Sequence, residues 1–225
     1  SGYIQIPRGL QDNLLERARQ ADVDYEINDE RQRGKHINVD FKGELRQEQD
    51  KALKELTKYD NGILHAATAF GKTVVSSAII AQKKVNTLII LESSALIEQW
   101  KDALEKFLNI DEELPSYETK TGRVRKRKSL IGTLQGVHDS MTGIIDIAMA
   151  GSLCKKGEFH KLLNEYGLVL IDECHHSASE TIANVLKELK NIFFGEKTKR
   201  NVSGKVIFRY CGVAADTTCS RLQLL

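Results

Sequence analysis

Residues 63–73 read Ile-Leu-His-Ala-Ala-Thr-Ala-Phe-Gly-Lys-Thr, and this stretch decides the fold. The short apolar run at its start predicts a strand, and Gly71-Lys72-Thr73 at its end begins a predicted helix over residues 72–81. The spacing between them is that of a phosphate-binding loop in which alanine takes the place of the first glycine. In such a loop, backbone N–H groups at the helix N-terminus point at phosphate oxygens, while the lysine ammonium neutralises the β and γ phosphates. The predicted nucleotide-binding residues are Thr68, Ala69, Phe70, Gly71, Lys72 and Thr73, with the Thr73 hydroxyl as a ligand of Mg²⁺.

A second motif follows the apolar run Leu168-Val169-Leu170-Ile171, which ends at Asp172 and Glu173. Because a carboxylate at the carboxyl end of a strand lies beside the phosphate loop in an open α/β sheet, we expect Asp172 to hold Mg²⁺ and Glu173 to polarise the attacking water. The predicted catalytic residues are therefore Lys72, Asp172 and Glu173. This second motif favours a nucleotide site over the alternative that Gly71-Lys72-Thr73 only begins a helix. A zinc site within residues 172–176 is the weaker interpretation, because adjacent residues rarely converge on one ion.

Outward from these motifs, apolar strands alternate with amphipathic helices. The predicted strands cover residues 63–66, 87–91, 144–149, 168–171 and 206–210, and the predicted helices cover 72–81, 95–107, 155–165 and 181–189. Strands that are apolar on both faces and separated by helices predict an α/β fold with a parallel sheet covered on both sides. Residues 1–43 differ, with a short strand at 3–6, a helix at 10–21 and a strand at 37–41, and they predict a small accessory α+β module before a larger domain at 44–225.

Composition narrows the class of protein. The chain has 225 residues, of which 41% are hydrophobic and 28% charged, so it can bury one core with a small appendage. Its four cysteines contain no CxxC pair, which favours reduced thiols over a disulfide framework or a zinc knuckle. Neither a membrane-spanning run nor a secretory signal is expected, and the expected compartment is the cytoplasm. The net charge of +2 is too small to argue for nucleic acid by itself.

Asp172-Glu173-Cys174-His175 resembles the DECH variant of the DEAD/DEAH box in superfamily 2 helicases. Upstream, Leu45-Arg46-Gln47-Glu48-Gln49 is similar to the element by which many of these proteins recognise adenine, and the resemblance assigns that role to Arg46 and Gln49. An arginine plane can stack on a base, and a glutamine amide can pair with both a donor and an acceptor on adenine. The pentapeptide alone would suit an exposed helix start equally well. The resemblance implies a parallel-sheet P-loop (RecA-like) domain that uses ATP and Mg²⁺.

Three further stretches concern nucleic acid. Residues 92–100 resemble the family's motif Ia, which assigns a phosphate contact to Ser93 or Ser94, although a plain serine N-cap is the open alternative. Residues 146–153 resemble the next strand-to-loop element, which assigns a nucleic-acid contact to Ser152. The basic run at residues 120–128 is predicted to be a loop or an edge hairpin, and it could attract phosphates or be merely solvated.

The resemblance is strongest to the branch with XPB-type, phage and restriction-type helicases. It implies the ATP-binding lobe of a helicase or translocase, with a second motor lobe in cis or in trans, and DNA is favoured over RNA as the partner. Three residues depart from the pattern: the Ala69 side chain penalises a positive φ, and Ala214 and Asp216 lack the hydroxyls of the family's next motif. Two alternatives therefore stay open. One is a non-catalytic remnant that binds nucleotide and nucleic acid, and the other is a different P-loop class such as a small kinase or a GTPase.

Overall fold

The computed structural model describes most of the chain before residue 173 and short segments after it. The described residues are 11–23, 34–58, 61–67, 69–119, 121–155, 157–172, 184–185, 188 and 206–212. Within them the helices are α1 (Gln11–Gln20), α2 (Gln47–Thr57), α3 (Lys72–Lys83), α4 (Ala95–Phe107) and α5 (Ala150–Leu153). The strands are β1 (Val39–Phe41), β2 (Asn61–Ala66), β3 (Thr87–Leu91), β4 (Leu108–Ile110), β5 (Ser116–Glu118), β6 (Val124–Lys126), β7 (Ile131–Gln135), β8 (His138–Asp139), β9 (Ile145–Met149), β10 (Cys154–Lys155), β11 (Glu158–Phe159), β12 (Leu168–Ile171) and β13 (Val206–Gly212). None of the described helices is long and apolar enough to cross a membrane.

Seven strands form the central sheet, in the order β2-β13-β12-β3-β9-β7-β8. All neighbours in this order are parallel except β7 and β8, which are antiparallel. The α/β fold with a mostly parallel sheet is therefore confirmed. Parallel pairing brings the carboxyl ends of β2, β3, β9 and β12 to one edge of the sheet, which we call the carboxyl edge.

The central strands are buried on both faces, and alternate residues belong to different cores. Leu88 and Ile90 of β3 contribute to one core, whereas Ile89 and Leu91 contribute to the other. This period of two is what a pleated strand imposes. The helices α3 and α4 pack against each other, and their residues lie in the core that contains Ile89. Each fully buried aliphatic side chain stabilises the folded state by about 1.5–3 kcal/mol. Two layers of such side chains, one on each face, therefore stabilise the sheet.

Residues just before the predicted boundary at position 43 join this core. Ile37 and Val39 are buried in the same cluster as α3, and β1 pairs with β4 in a separate antiparallel ribbon. Helix α1 appears as predicted, whereas the predicted strand at 3–6 lies outside the described residues. Residues 36–41 thus contribute to the main core, and the division of the chain into modules at residue 43 stays a prediction.

The prediction of a helix over residues 155–165 is wrong. The structure has a small hairpin of β10 and β11 there, followed by a 3₁₀ turn at Lys161–Asn164. Gly157 explains the difference, because it lies in the hairpin turn with a φ of +81°, a conformation that breaks an α-helix. Within the helix predicted over 181–189, the three described residues Asn184, Val185 and Glu188 are helical, and the others lie outside the described part of the chain.

Candidate functional site

Four described segments that carry predicted site residues lie at the carboxyl edge of the sheet. The phosphate loop follows β2, residues 92–94 follow β3, α5 follows β9, and Asp172 follows β12. Helix α3, which carries Lys72 and Thr73, also packs against β12. Crossover connections in a parallel sheet produce this convergence, so segments far apart in sequence meet at one surface. The sheet thereby brings the phosphate loop and Asp172 to the same edge.

The phosphate loop turns through two residues in the left-handed region. Ala69 has a φ of +65°, and Gly71 has a φ of +87° at the N-cap of α3. Glycine adopts this conformation freely, whereas an alanine side chain costs about 1–2 kcal/mol in it. Ala69 therefore has the positive φ that its side chain penalises. Thr68 lies outside the described residues.

Gln49 and Arg46 bind the loop from α2. The Gln49 Nε2 donates to the carbonyl oxygen of Phe70 at 2.7 Å, and its Oε1 accepts from the backbone N–H of Arg46 at 2.9 Å. The Arg46 guanidinium donates to the same Phe70 carbonyl and, at 3.4 Å, to that of Ala69. Gln49 is buried, and a Cβ added at Gly71 would lie only 2.5 Å from its Nε2. These two residues therefore hold the loop backbone in place, and their contact with adenine stays a prediction.

Asp172 is held by the helix that follows β3. The Trp100 indole Nε1 donates to the Asp172 Oδ2 at 2.8 Å, and both residues are buried. Ile97, Trp100 and Leu104 form the buried face of α4, with the spacing of an amphipathic helix. Trp100 was predicted only as part of a motif, and nothing in its sequence neighbourhood indicates the bond to Asp172. Glu173 lies outside the described residues.

The donors available to a metal are oxygens. Thr73 offers a hydroxyl in the first turn of α3, and Asp172 offers a carboxylate at the end of β12. Mg²⁺ prefers such oxygen ligands and is usually held by one or two carboxylates together with water and substrate phosphates. Among the described residues, no cluster of three or more histidine, cysteine, aspartate or glutamate side chains could hold a metal by itself. The donor set thus suits a magnesium ion that arrives with a nucleotide.

The three predicted nucleic-acid residues differ in their exposure. Ser93 and Ser94 are exposed where α4 begins, and the Ser94 side chain makes no capping hydrogen bond to the described part of that helix. Ser94 is thus the N-cap residue of α4 by position, but its side chain does not cap the helix. Ser152 is buried in α5, and its hydroxyl accepts from the backbone N–H of Gly136 at 2.8 Å. A direct contact of each serine with nucleic acid stays a prediction.

Part of the basic run lies in β6, the second strand of a β-hairpin. β5 and β6 pair as a separate two-stranded sheet. Of the loop and the hairpin that the sequence allowed here, the structure has the hairpin. The described basic residues of the hairpin and its end are mostly exposed: Arg123, Arg125, Lys126, Arg127 and Lys128. The Arg127 guanidinium lies over the Tyr117 ring, 4.4 Å from its centroid, and donates to the carbonyl of Asp139 at 3.1 Å. The hairpin is thus a positively charged surface attached to the β7–β8 side of the sheet.

A cluster of buried polar residues stabilises the opposite edge of the sheet. The Asp146 carboxylate accepts from Tyr166 Oη at 2.5 Å, from Gly143 N at 2.7 Å and from Thr142 N at 2.8 Å. Burial raises the pKa of the Asp146 carboxyl, against these hydrogen bonds, which lower it. Burial and the adjacent Asp146 carboxyl raise the pKa of Tyr166.

A cavity of about 360 Å³ opens at the same edge beside Asn86, whose side chain forms hydrogen bonds with four backbone groups of the surrounding turns. The Asp146 and Asn86 side chains thus hold the turns at this edge together through their hydrogen bonds.

Comparisons with known proteins show the family to which the chain belongs. Residues 42–195 match the protein family described as type III restriction enzyme, res subunit. The chain is 33% identical over 137 residues to the DNA 3'-5' translocase XPB2 of Sulfurisphaera tokodaii, a match that covers 61% of this chain and 26% of the relative. It is 31% identical over 150 residues to the putative helicase 109L of Invertebrate iridescent virus 3, covering 65% of this chain and 42% of the relative.

A solved structure has the same fold. The SWI2/SNF2 ATPase core of Sulfolobus solfataricus in complex with dsDNA superposes with a TM-score of 0.53 and 16% sequence identity. The match covers 81% of this chain and 34% of that one. The chain thus spans less than half the length of each of these three proteins.

Proposed function

The chain belongs to the family of the type III restriction enzyme res subunit, and from that premise we propose that it is the ATP-binding lobe of a nucleic-acid-dependent helicase or translocase. It is a domain of the helicase and translocase ATPases, as its relatives indicate. One observation carries the proposal for the reaction. The phosphate loop after β2 and Asp172 after β12 lie at the same edge of one parallel sheet, with α3 packed against β12.

The proposed roles follow from the positions of the side chains. Lys72 at the start of α3 would neutralise the β and γ phosphates, and backbone N–H groups of the loop and of the first turn of α3 would bind their oxygens. Thr73 and Asp172 would hold Mg²⁺, which when bound supplies positive charge to the phosphates during transfer. Glu173 would accept a proton from the attacking water. Arg46 and Gln49, which contact the loop backbone, would recognise adenine from the same side.

Nucleic acid would bind along the carboxyl edge next to the nucleotide. Exposed Ser93 and Ser94 at the N-terminus of the 13-residue helix α4 would offer their hydroxyls and the positive end of the helix dipole to a phosphate. Ser152 would act from α5, the short helix after β9. DNA is favoured over RNA as the partner, and support comes from the relative that is a DNA translocase and from the neighbouring fold in complex with dsDNA.

A second motor lobe would complete the enzyme, in cis or in trans. In-line phosphoryl transfer benefits from an arginine finger, which is worth about 10³–10⁵ in rate. In the proposed arrangement that arginine comes from the second lobe, and movement along nucleic acid requires two lobes that close on ATP and open on release. The 225-residue chain by itself should therefore bind ATP but hydrolyse it very slowly.

Calorimetric titration of Mg-ATP tests the proposal. Lys72→Ala should weaken binding strongly while the fold stays intact, because a charge-assisted contact to phosphate is lost. Lys83→Ala, in the last turn of the same helix, is the matched control and should bind like the wild-type chain. Equal affinities in the Lys72→Ala variant and the wild-type chain would refute the nucleotide site.

Hydrolysis is tested separately. Glu173→Gln should keep nucleotide binding and remove turnover, because an amide preserves the shape of the carboxylate but cannot accept the proton. The ATPase rate is measured with saturating DNA, first with the chain alone and then with a cognate second lobe. Nucleotide binding without turnover in both settings would indicate the non-catalytic remnant instead. A preference for guanine nucleotides would indicate a different P-loop class.

A further inference from the structure

We propose that Trp100 is a positioning residue that orients the carboxylate of Asp172 toward Mg²⁺, an inference that rests on the proposed function of the site. The two residues are 72 positions apart in the sequence and meet through the 2.8 Å hydrogen bond from the indole Nε1 to Oδ2. Trp100 is 1% exposed and Asp172 is 9% exposed, so the bond is shielded from water. The bond thus joins a core side chain of α4 to the first residue after β12.

The chemistry of the donor argues for more than packing. The neighbours of Trp100 on the buried face of α4 are Ile97 and Leu104, which fill the core with apolar atoms alone. Trp100 fills the core in the same way, but its indole also has one N–H group that donates and cannot accept. A single fixed donor binds one carboxylate oxygen and thereby restricts rotation of the group.

A metal ligand benefits from such an orienting bond. Carboxylates that bind metals are themselves hydrogen-bonded, and removal of these outer partners typically weakens metal affinity by about 10–100-fold. Loss of the indole donor would remove one restraint on the last torsion of the Asp172 side chain, so the carboxylate would meet the ion correctly for less of the time. Trp100 touches neither the nucleotide nor the metal in this scheme and acts only through Asp172.

The first experiment separates positioning from folding. ATP affinity of the 225-residue chain is measured by calorimetry in Mg²⁺ and in EDTA, and the ratio of the two affinities is the magnesium enhancement. Trp100→Phe, which removes the N–H donor and keeps an aromatic ring, should retain the affinity measured in EDTA and lose about 10–100-fold of the enhancement. Leu104→Ala, on the same buried face, should lower the free energy of unfolding but keep the enhancement.

A second measurement uses the wild-type fold, because Trp100 is the only tryptophan in the chain. Paramagnetic Mn²⁺ added with ATP should quench its fluorescence, and Asp172→Asn should remove most of the quenching. This readout tests whether the metal lies beside Asp172 and Trp100, and it can refute the proposal even if Trp100→Phe fails to fold. Quenching that is absent although calorimetry detects Mn²⁺-ATP binding would overturn the proposal.

The outcomes distinguish this inference from the function on which it rests. If wild-type magnesium enhancement exists and Trp100→Phe leaves it unchanged, or if Leu104→Ala reduces it equally, Trp100 is only a core residue and the proposed function stands. If the wild-type chain binds no nucleotide, or binds it equally well in EDTA, the proposed magnesium site itself fails, and the role of Trp100 fails with it.

Discussion

Gln49 holds the phosphate loop from outside it, with its side-chain Nε2 donating to the carbonyl oxygen of Phe70 at 2.7 Å. The same amide accepts from the backbone N–H of Arg46 through Oε1. Both ends of the side chain are therefore in use, and the residue must be a donor at one end and an acceptor at the other. Of the side chains with this length, only glutamine meets both requirements at neutral pH.

Gln49→Glu tests this requirement with almost no change of shape. A carboxylate would keep the contact with the Arg46 N–H but would face the Phe70 carbonyl with an acceptor instead of a donor. Since an unsatisfied buried polar group costs about 1–3 kcal/mol, we expect a loss of that size in urea unfolding and weaker ATP binding. Gln47→Glu, at an exposed position of the same helix turn, is the control and should change little. A Gln49→Glu variant as stable as this control would contradict the role of the amide.

Ala69→Gly should relieve strain in the phosphate loop. The φ of +65° destabilises the folded state by about 1–2 kcal/mol for an alanine, and glycine removes this strain. Glycine also has greater freedom in the unfolded chain, which offsets about 0.5–1 kcal/mol of the stabilisation. We expect unchanged or slightly higher stability and equal or tighter ATP binding. Ala67→Gly, at a described residue without a positive φ, should instead lose about 0.5–1 kcal/mol. Equal losses in the two variants would show that residue 69 is not strained.

The basic hairpin should contribute to nucleic-acid affinity through charge alone. Arg123→Gln together with Arg125→Gln removes two exposed charges from it. Each phosphate contact contributes about 0.9 to the slope of log affinity against log salt on duplex DNA, so the slope should fall by about 1.8. The control, Arg17→Gln with Arg19→Gln on α1, removes the same charge from another surface and should leave the slope nearly unchanged. Identical slopes in both variants would exclude the hairpin from the interface.

The buried Asp146 predicts a pH dependence of stability. Because burial raises its pKa in the folded state, the folded protein binds a proton at this group more tightly than the unfolded chain does. That stabilisation is complete below the unfolded pKa of about 3.9 and is lost as the pH rises through the folded pKa. The free energy of unfolding of the wild type should therefore fall over this interval relative to that of Asp146→Asn. Urea unfolding at a series of pH values measures the difference, and a constant difference would contradict the raised pKa.

Much of the fold could be predicted because its elements carry local signals. The strands at 87–91 and 168–171 and the helix at 95–107 have the predicted bounds, since each is an apolar or periodic run between polar residues. The helix predicted over 155–165 failed because a positive φ at Gly157 outweighs the apolar spacing around it. The strand β7 was missed because Gly132 interrupts a run too short to stand out.

The site could be predicted in its motifs and not in its contacts. Periodicity places Trp100 on the buried face of α4, but it does not reveal which polar group lies across the core at Asp172. Similarly, the pentapeptide at 45–49 indicated Gln49 without indicating that its amide holds the loop backbone. Contacts between residues distant in sequence depend on the order of strands in the sheet, and that order is a property of the whole fold.

The edge strand β8 affects how readily two chains can associate through the sheet. β8 contains only His138 and Asp139, and it pairs in the antiparallel direction at the end of the sheet. An exposed strand edge is a template on which another chain can add a strand and begin to aggregate. A two-residue strand offers too few free backbone groups for such growth, and the Asp139 carboxylate, bound to His160 at 3.2 Å, adds a charge there. The sheet therefore ends at β8 in an edge that resists the addition of strands from a second molecule.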